Sequence, residues 1–455
     1  MELKGKKILV VGLGKTGEAL CEFLLTRQAR IRVSDKKTTG DLGEQIKTWT
    51  QRGIQIETGG HRIESFLASD LIVLSPGVPY LEELEQAARR NIPILSEIEL
   101  ASKYLRGQIV GITGSNGKST TASLTHQILA GGGLKSYLAG NIGTPLISFV
   151  DHSQDDHIYV TELSSFQLKF THDFKPDISV FLNITQDHLD WHGGFEDYFR
   201  SKQKLIFSQN EKDIAILNRD DPMIWKISQD IRARVYGFSR MHTVNPGCYL
   251  KDSWFVFSDG REKKFISAPE IPLLGPHNQE NTMSAALVGH ILGINIQSIR
   301  SAVKHFKPLE HRLEKVITLD GIEFYNDSKA TNVDAALKAI QSFDKSLILI
   351  LGGRDKESDF TPLRESVKQH VKLLILIGEA KDKIKQSLQG TAPTVDVSSM
   401  AEAVSQAYSS ARRGDVVLIA PACTSFDMFE SFEHRGTSYK KEIFSLREKA
   451  KGKEI

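Results

Sequence analysis

The stretch "GITGSNGKSTTASLTHQIL", residues 111–129, contains the end of an apolar strand, a glycine turn and the start of a helix. Lys118 closes the turn, and Ser119 and Thr120 open the helix, which is the context that a phosphate-binding loop requires. The loop departs from the usual G-x-x-x-x-G-K-[ST] pattern, because Ile112 stands where the first glycine belongs. We expect Lys118 to reach the β- and γ-phosphates of a nucleotide and Ser119 to offer its hydroxyl to Mg²⁺. The structural alternative is a glycine turn with a solvated lysine.

A second glycine loop, Gly12-x-Gly14-x-x-Gly17, follows the apolar run "KILVV". Asp35 ends the next predicted strand, about where a dinucleotide fingerprint places an acid for the ribose. Taken alone, this pattern favours an NAD-dependent oxidoreductase, with a tight strand-to-helix turn as its structural alternative. However, backbone N–H groups at a helix N-terminus suit any diphosphate. Two phosphate-binding loops in different parts of the chain indicate two phosphorylated ligands, and a nicotinamide enzyme does not need the second.

Short apolar runs alternate with amphipathic segments of helix length along the whole chain, as in "LIVLSPG", "IYVTEL", "LILILGG" and "DVVLIAPA". Strands that are apolar throughout, each followed by a helix, predict parallel sheets covered on both faces. One departure is "DSWFVFSDGREKKFI", where Asp259-Gly260 predicts a hairpin. We therefore predict an α/β protein of three domains, each a mainly parallel doubly wound sheet. They are a Rossmann-like N-terminal domain over 1–97, a central P-loop ATPase-like domain over 98–309 and a Rossmann-like C-terminal domain over 310–455.

The composition restricts the partners and the compartment. Lys+Arg 58 against Asp+Glu 56 gives a net charge of +2, which excludes a protein that coats nucleic acid. Three isolated cysteines argue for a reducing compartment. The start "MELKGKKILVVGLG" resembles a signal peptide, but its apolar run is short, so we expect a buried strand. No apolar segment approaches the roughly 18 residues that a membrane span requires. We expect a cytoplasmic monomer without nucleic-acid or membrane partners.

Five further segments carry a resemblance to a known family. "TGSNGKS", "ELSSFQL", "NITQDHLDWHGGFEDYFRSK", "HNQEN" and "FYNDSKATN" together resemble the Mur ligases, ATP-dependent amide-forming enzymes that build the peptidoglycan peptide. The resemblance covers essentially the whole chain, and the shortened glycine spacing of the 111–129 loop is normal for that family. Within the family, "LGGRDKESDF" and "PACTSFDMFESFEHRG" most resemble members that add D-glutamate to UDP-N-acetylmuramoyl-L-alanine.

The resemblance implies a reaction in which ATP phosphorylates the alanyl carboxylate and the amine of D-glutamate displaces phosphate from the acyl phosphate. The alternatives are another Mur ligase, or folylpolyglutamate synthetase, which shares the ATP half of the chain. An NAD-dependent oxidoreductase and a nucleotide-binding protein without activity are alternatives of a different class. The last would be expected to lack Lys118, Glu162 or His188, and all three are present.

The resemblance also implies two Mg²⁺ ions, held by Ser119, Glu162, His188 and Lys202. Glu162 follows the strand "IYVT", at a strand's carboxyl end where open α/β sheets bind ligands. An ammonium has no lone pair for a metal, so we expect Lys202 to carry a CO₂-derived carbamate, whose oxygens suit Mg²⁺. Lys204 is a possible misalignment. Near His188, we interpret Asp190 and His192 as loop residues, because the four nitrogen or sulfur ligands of a zinc site are missing.

By the same resemblance, the remaining site residues fall into three groups. Expected ATP contacts, besides Lys118, are Gly114, Ser115, Asn116, Gly117, Ser119, Thr120, Asn278, Asn281, Arg312 and Asp327; helix capping is the rival role for Asn278. Expected contacts to the UDP substrate are Gly14, Lys15, Thr16, Gly17, Asp35, Lys36, Ser75, Gly77 and Asn141; Asp35 and Lys36 could equally form a surface salt-bridging turn. Expected D-glutamate contacts are Lys329, Thr331, Lys356, Ser425 and the backbone at Phe429.

Overall fold

The structure is a computed structural model that describes residues 1–188, 191–344, 346–355 and 357–451. The chain forms two compact units. The first unit contains Met1–Ala268 and Glu280–Val303, and the second contains Pro269–Gln279 and Lys304–Ile455. The first unit holds two β-sheets and the second holds one.

The first sheet has five strands, all parallel, in the order β3-β2-β1-β4-β5. Its strands are β1 (Lys7–Val11), β2 (Arg30–Ser34), β3 (Gln55–Glu57), β4 (Leu71–Leu74) and β5 (Ile94–Ser96). The helices of this part are α1 (Lys15–Thr26), α2 (Thr39–Leu42), α3 (Glu44–Gln51), α4 (Ile63–Leu67), α5 (Glu82–Arg89) and α6 (Glu97–Ser102). The order, with crossover helices between parallel strands, is doubly wound.

The second sheet has nine strands in the order β14-β13-β12-β11-β10-β9-β6-β8-β7. They are β6 (Gln108–Thr113), β7 (Lys135–Gly140), β8 (His157–Glu162), β9 (Ile178–Phe181), β10 (Ile214–Asn218), β11 (Arg234–Ser239), β12 (Gly247–Lys251), β13 (Trp254–Ser258) and β14 (Glu262–Ser267). Helices α7 (Lys118–Gly131), α8 (Ser165–Lys169), α9 (Phe195–Phe207), α10 (Pro222–Lys226), α11 (Pro276–Ile291) and α12 (Ile296–Lys304) belong to this part of the chain.

Strands β6 to β12 pair in parallel, whereas β12, β13 and β14 form antiparallel pairs. The hairpin predicted at Asp259-Gly260 is confirmed, because it joins β13 to β14. A further hairpin, between β12 and β13, was not predicted. Its two turn residues, Asp252 and Ser253, have φ of 49° and 63°, the left-handed pair that a tight hairpin turn requires.

The third sheet has six strands in the order β15-β16-β20-β17-β18-β19 and is parallel except for the β15–β16 pair. Its strands are β15 (Glu314–Leu319), β16 (Ile322–Asn326), β17 (Leu347–Gly352), β18 (Val371–Ile377), β19 (Thr394–Asp396) and β20 (Val416–Ile419). The helices of this part are α13 (Val333–Ile340), α14 (Arg364–His370), α15 (Lys381–Ser387), α16 (Met400–Ser410) and α17 (Phe432–Lys451).

Central strands are buried along their whole length, which explains their uninterrupted apolar sequences. Every residue of β4, β8, β10, β17 and β20 is buried. In the first unit, one cluster of buried side chains continues from the first sheet into the second, from Leu24 through Leu100 to Tyr159 and Phe174. The predicted α/β class with mainly parallel sheets is confirmed, and the predicted boundaries at 97 and 309 stay a prediction. No helix in the described part of the chain is long and apolar enough to cross a membrane.

Candidate active site

The first glycine loop joins β1 to α1 in a turn so tight that only glycine fits at its far end. A Cβ at Gly17 would lie 2.0 Å from the carbonyl oxygen of Gly12. Gly12 itself has a φ of 90°, in the left-handed region. The hydroxyl of Ser75 donates to the same Gly12 oxygen at 2.9 Å and so ties the turn to the segment that follows β4.

The neighbouring Gly14 has a different role. Its φ of −84° is ordinary, and a Cβ there would meet nothing within 4 Å. Gly14 lines a cavity of about 390 Å³, so a side chain would take up space in the cavity. Eight of the nine residues predicted for the UDP substrate line this cavity: Gly14, Lys15, Thr16, Asp35, Lys36, Ser75, Gly77 and Asn141. Gly17 does not line it and serves the packing of the turn.

Asp35 anchors the wall of this cavity. It is buried, one carboxylate oxygen accepts from the backbone N–H of Leu13 at 2.6 Å, and the other accepts from that of Lys37 at 2.8 Å. These bonds fix the first glycine loop against the end of β2, so Asp35 does not form the surface salt-bridging turn that the sequence also allowed. His61, which the sequence analysis missed, lines the cavity too. Burial lowers the pKa of His61, which favours the neutral imidazole.

The second glycine loop ends at Gly117, which has a φ of 88° and precedes α7. A Cβ at Gly117 would lie 2.3 Å from the side-chain oxygen of the buried Asn281. The segment that follows β9 also holds the loop: the N–H of Ser115 donates to the carbonyl of Asn183 at 2.9 Å, and the N–H of Asn116 donates to the Asn183 side chain at 2.8 Å. Asn183 was missed because its role depends on contacts across the sheet.

Two lysines converge on this loop. The Nζ of Lys118 and the Nζ of Lys202 both donate to the carbonyl of Gly114, at 2.9 and 2.8 Å. Lys202 is 1% exposed, and burial together with the charge of Lys118 lowers the pKa of its amine well below the ordinary value. Lys204 points elsewhere, since its Nζ donates to the carbonyls of Lys169 and Thr171. Of the two lysines on α9, the expected Lys202 is at the loop, and Lys204, the possible misalignment, is not.

Glu162, the last residue of β8, has one carboxylate oxygen without a partner. Its Oε1 accepts from the side-chain amide of Asn141 at 2.8 Å. Its Oε2 is buried and accepts no hydrogen bond from the residues that the structure describes. The charges of Glu162 and Asp187 partly oppose the lowered pKa of Lys202, so both carboxylates lie near that amine. A buried, unpartnered carboxylate oxygen is the type of ligand that Mg²⁺ takes.

The histidine cluster after β9 separates into two roles. Both ring nitrogens of the buried His192 have partners, Asp197 at 2.9 Å and Ser165 at 2.9 Å, which agrees with its interpretation as a loop residue. His188 has a φ of 54° and packs edge-on against Phe166, with ring centroids 4.8 Å apart. Asp190 lies outside the described residues. The role of His188 as a metal ligand stays a prediction.

In the second unit, the structure brings Arg312 and Asp327 together. Asp327 follows β16, and burial raises the pKa of its carboxyl to about 7. The charge of Arg312 opposes this rise, and the N–H of Leu313 donates to the carboxylate at 3.3 Å. Asn278, near the start of α11, donates through its side-chain amide to the carbonyl of Leu274 at 2.7 Å. This bond is local to the helix start, but it is not an N-cap, because the side chain donates to a carbonyl instead of accepting from a backbone N–H.

The residues predicted for D-glutamate have mixed surroundings. The Nζ of Lys329 lies 3.8 Å from the ring centroid of Phe432. The hydroxyl of Ser425 is buried and forms no hydrogen bond within the described residues. The N–H of Phe429 already donates to the carbonyl of Ser425, so this predicted donor has a partner in the structure. Thr331 donates its N–H to the carbonyl of Lys329. Lys356 lies outside the described residues.

Sequence profiles of three Mur ligase domains match successive parts of the chain. The Mur ligase MurD-like N-terminal domain matches residues 6–96, the middle domain matches 112–289, and the glutamate ligase domain matches 311–423. A curated relative from Koribacter versatilis, named UDP-N-acetylmuramoylalanine--D-glutamate ligase, is 44% identical over 453 residues, covering 99% of this chain and 100% of the relative. A relative of the same name from Acidobacterium capsulatum is 44% identical over 451 residues and 98% of each chain.

Solved structures share the fold at low sequence identity. A pseudomurein peptide ligase type C from Methanothermus fervidus has a TM-score of 0.62 at 20% identity and covers 97% of this chain and 100% of its own. The UDP-N-acetylmuramate-alanine ligase of Thermotoga maritima has a TM-score of 0.60 at 16% identity, with the same coverage. The resemblance in the sequence motifs is thereby confirmed over the whole chain, which belongs to the Mur ligase family.

Proposed function

We propose that this chain is an ATP-dependent amide ligase that adds D-glutamate to UDP-N-acetylmuramoyl-L-alanine in peptidoglycan precursor synthesis. Relatives that are 44% identical over nearly their full length carry the name of that activity. The structural observation that carries the proposal is the pair of glycine loops in the first unit. One lines the 390 Å³ cavity, and the other holds two lysines beside Glu162.

The reaction has to make a carboxylate into an acyl donor, because oxide is too poor a leaving group. An oxygen of the alanyl carboxylate attacks the γ-phosphorus of ATP, the bond to the bridging oxygen breaks, and ADP leaves. The neutral amine of D-glutamate then attacks the acyl carbon. The C–O bond to phosphate breaks with its electron pair, and the amine loses a proton as the amide forms. Charge builds on the γ-phosphoryl oxygens in the first step, so the protein contributes chiefly by placing cations and N–H donors.

Lys118 and the start of α7 supply those donors. The ammonium of Lys118 bonds to the carbonyls of Gly114 and Ser115, and it would exchange these acceptors for phosphate oxygens when ATP binds. The N–H groups at the helix start, including those of Ser119 and Thr120, favour an anion at the same place. Asn278, Asn281, Arg312 and Asp327 are the proposed contacts for the rest of the nucleotide.

The Mur ligase family uses ATP with Mg²⁺, and two Mg²⁺ ions are part of this proposal. Ser119, Glu162, His188 and Lys202 would hold them, and the unpartnered oxygen of Glu162 supports this set. When bound, Mg²⁺ neutralises charge on the phosphoryl oxygens. The lowered pKa of Lys202 favours a neutral amine, which adds to CO₂ and releases a proton to give a carbamate. The carbamate would turn a repelling cation into an anionic oxygen ligand.

The two other substrates are proposed to bind in separate units. The cavity beside Gly14 takes the UDP end of the first substrate, which explains why the same loop resembles a dinucleotide site. D-glutamate carries two carboxylates, so cations and hydrogen-bond donors of the second unit would bind it, namely Lys329, Thr331, Lys356, Ser425 and the backbone at Phe429, whose N–H would have to exchange its present acceptor. Action as a monomer and a cytoplasmic location belong to this proposal.

The test is phosphate release from ATP in the presence of UDP-N-acetylmuramoyl-L-alanine and a panel of amino acids. Release should depend on D-glutamate. Equal turnover with L-glutamate or diaminopimelate would contradict the assigned substrate while leaving an amide ligase. Release that ignores every amino acid would contradict the ligase itself.

A further inference from the structure

Arg435 in the first turn of α17 is buried almost completely, with 2% of its surface exposed. Its guanidinium forms four hydrogen bonds. Nε donates to the hydroxyl of Ser328 at 3.0 Å, and Nη2 donates to the carbonyls of Ser328 at 2.9 Å and Cys423 at 3.1 Å. Nη1 donates to the carbonyl of Thr424 at 3.1 Å. Every acceptor is neutral.

A buried cation normally has a carboxylate partner, because removing a charge from water is costly. Within the described part of the chain, no carboxylate forms an ion pair with Arg435. Burial lowers the pKa of the guanidinium to about 10, which leaves the group positive near neutral pH. Within the described residues, carbonyls and one hydroxyl accept the hydrogen bonds of this buried charge, and the charge of Asp427, which forms no ion pair with it, partly opposes the lowered pKa.

The acceptors belong to segments that leave adjacent strands of the third sheet. Ser328 follows β16, and Cys423 and Thr424 follow β20, which lies between β16 and β17. The turn after β17 also closes on this point, since a Cβ at Gly353 would lie 2.2 Å from the carbonyl of Thr424 and 3.0 Å from Nη1 of Arg435. Arg435 thus joins the carboxyl ends of three neighbouring parallel strands, the edge where α/β sheets bind ligands.

Two of these segments carry side chains already proposed for D-glutamate. Lys329 is the residue after Ser328, and Ser425, with its unpartnered buried hydroxyl, is the residue after Thr424. We infer that Arg435 is a positioning residue of the dicarboxylate site: it fixes the segments that present Lys329 and Ser425, and its charge, which no carboxylate of the described residues pairs directly, favours an anionic ligand there. This inference rests on the proposed function.

A substitution that keeps the charge separates positioning from charge alone. Lysine has one nitrogen and cannot reproduce a planar fork that reaches Ser328, Cys423 and Thr424 together. The variant Arg435→Lys should raise the KM for D-glutamate about tenfold, the loss expected for one or two charge-assisted hydrogen bonds. Arg435→Gln should raise it further. The KM for the UDP substrate should stay within about twofold, because the residues lining its cavity belong to the first unit.

Arg364 offers a matched control in the same unit. Its guanidinium also donates to backbone carbonyls, those of Ser387 at 2.6 Å and Gln389 at 3.2 Å, but at an exposed position. Arg364→Lys should leave the KM for D-glutamate unchanged. If the role of Arg435 is purely structural, Arg435→Lys should lower the folded fraction, and hence the apparent kcat, and leave the KM for D-glutamate unchanged. That result would overturn the positioning role.

If Arg435→Lys does not fold, Ser328→Ala decides the question, because it removes the acceptor of Nε and keeps the arginine. A KM for D-glutamate at least threefold above that of the wild type supports the positioning role, because the loss of one neutral hydrogen bond has about this effect. An unchanged KM for D-glutamate overturns the positioning role. The wild-type enzyme is measured first. Phosphate release without dependence on D-glutamate would refute both the proposed function and this inference, whereas dependence with an unchanged KM in Arg435→Lys would refute the inference alone.

Discussion

The second and third glycines of the first loop, Gly14 and Gly17, should respond to alanine in opposite ways. In Gly17→Ala, the new Cβ would lie 2.0 Å from the oxygen of Gly12, whereas real Cβ atoms stay beyond about 3.0 Å. Helix α1 and the turn must therefore separate by about 1 Å, a distortion that typically costs about 1–3 kcal/mol. At about 2 °C per kcal/mol for a unit of this size, the thermal midpoint should fall by about 2–6 °C.

Gly14→Ala should leave the stability of the protein almost unchanged and weaken the binding of the UDP substrate. Its φ of −84° suits alanine, and no protein atom lies within 4 Å of the new Cβ. The preference for glycine over alanine at a helix N-cap and the reduced entropy of the unfolded chain oppose each other, so stability should stay within about 1 kcal/mol. The methyl group would occupy the cavity, and the KM for UDP-N-acetylmuramoyl-L-alanine should rise about tenfold, or about 1.4 kcal/mol.

Differential scanning fluorimetry and steady-state phosphate release on the two variants test this pair. An unchanged thermal midpoint in Gly17→Ala would contradict the packing role of Gly17. An unchanged KM for the UDP substrate in Gly14→Ala would contradict the role of Gly14 in the cavity. A variant Gly14→Ala that loses D-glutamate affinity instead would show that the cavity takes a different ligand.

Four further variants test other residues of the chain. Lys118→Ala should abolish ATP turnover while calorimetry still detects binding of the UDP substrate, and loss of both would contradict the assignment of the two loops. Lys202→Ala should lose most activity and regain part of it with acetate or formate, whereas Lys204→Ala should keep a near-wild-type kcat; full activity in Lys202→Ala would exclude the carbamate. Glu97 is buried with a pKa raised to about 7, so the folded chain binds its proton more tightly than the unfolded chain, and stability should fall as pH rises from about 4.5 to 7. Glu97→Gln should reduce this pH-dependent loss of folding stability by up to about 3 kcal/mol. Thermal midpoints of Glu97→Gln that vary with pH as those of the wild type do would contradict this prediction.

Local sequence predicted those features that depend on local chemistry. The apolar runs marked strands because strands buried on both faces have no polar side to alternate with. The turns before α1 and α7 were predictable because glycine followed by a helix start is a short-range signal, and Gly12, Gly17 and Gly117 occupy conformations or contacts that other residues do not fit.

The features that sequence analysis missed depend on contacts between distant segments. Asn183 holds the second glycine loop from the segment after β9, and Arg435 donates to Ser328, 107 positions away in the chain. None of these contacts leaves a periodic or short-range signal in the chain.

In the proposed reaction, ATP activates the alanyl carboxylate by direct phosphorylation. The most direct test uses UDP-N-acetylmuramoyl-L-alanine labelled with ¹⁸O in the alanyl carboxylate, with ATP, Mg²⁺ and D-glutamate, followed by mass spectrometry of the released phosphate. An acyl phosphate requires one labelled oxygen to leave with phosphorus, because the C–O bond breaks when the amine attacks. Each turnover should therefore place one ¹⁸O atom in phosphate and form one amide. Release of unlabelled phosphate, whatever the rate of ATP consumption, would contradict direct phosphorylation of the alanyl carboxylate.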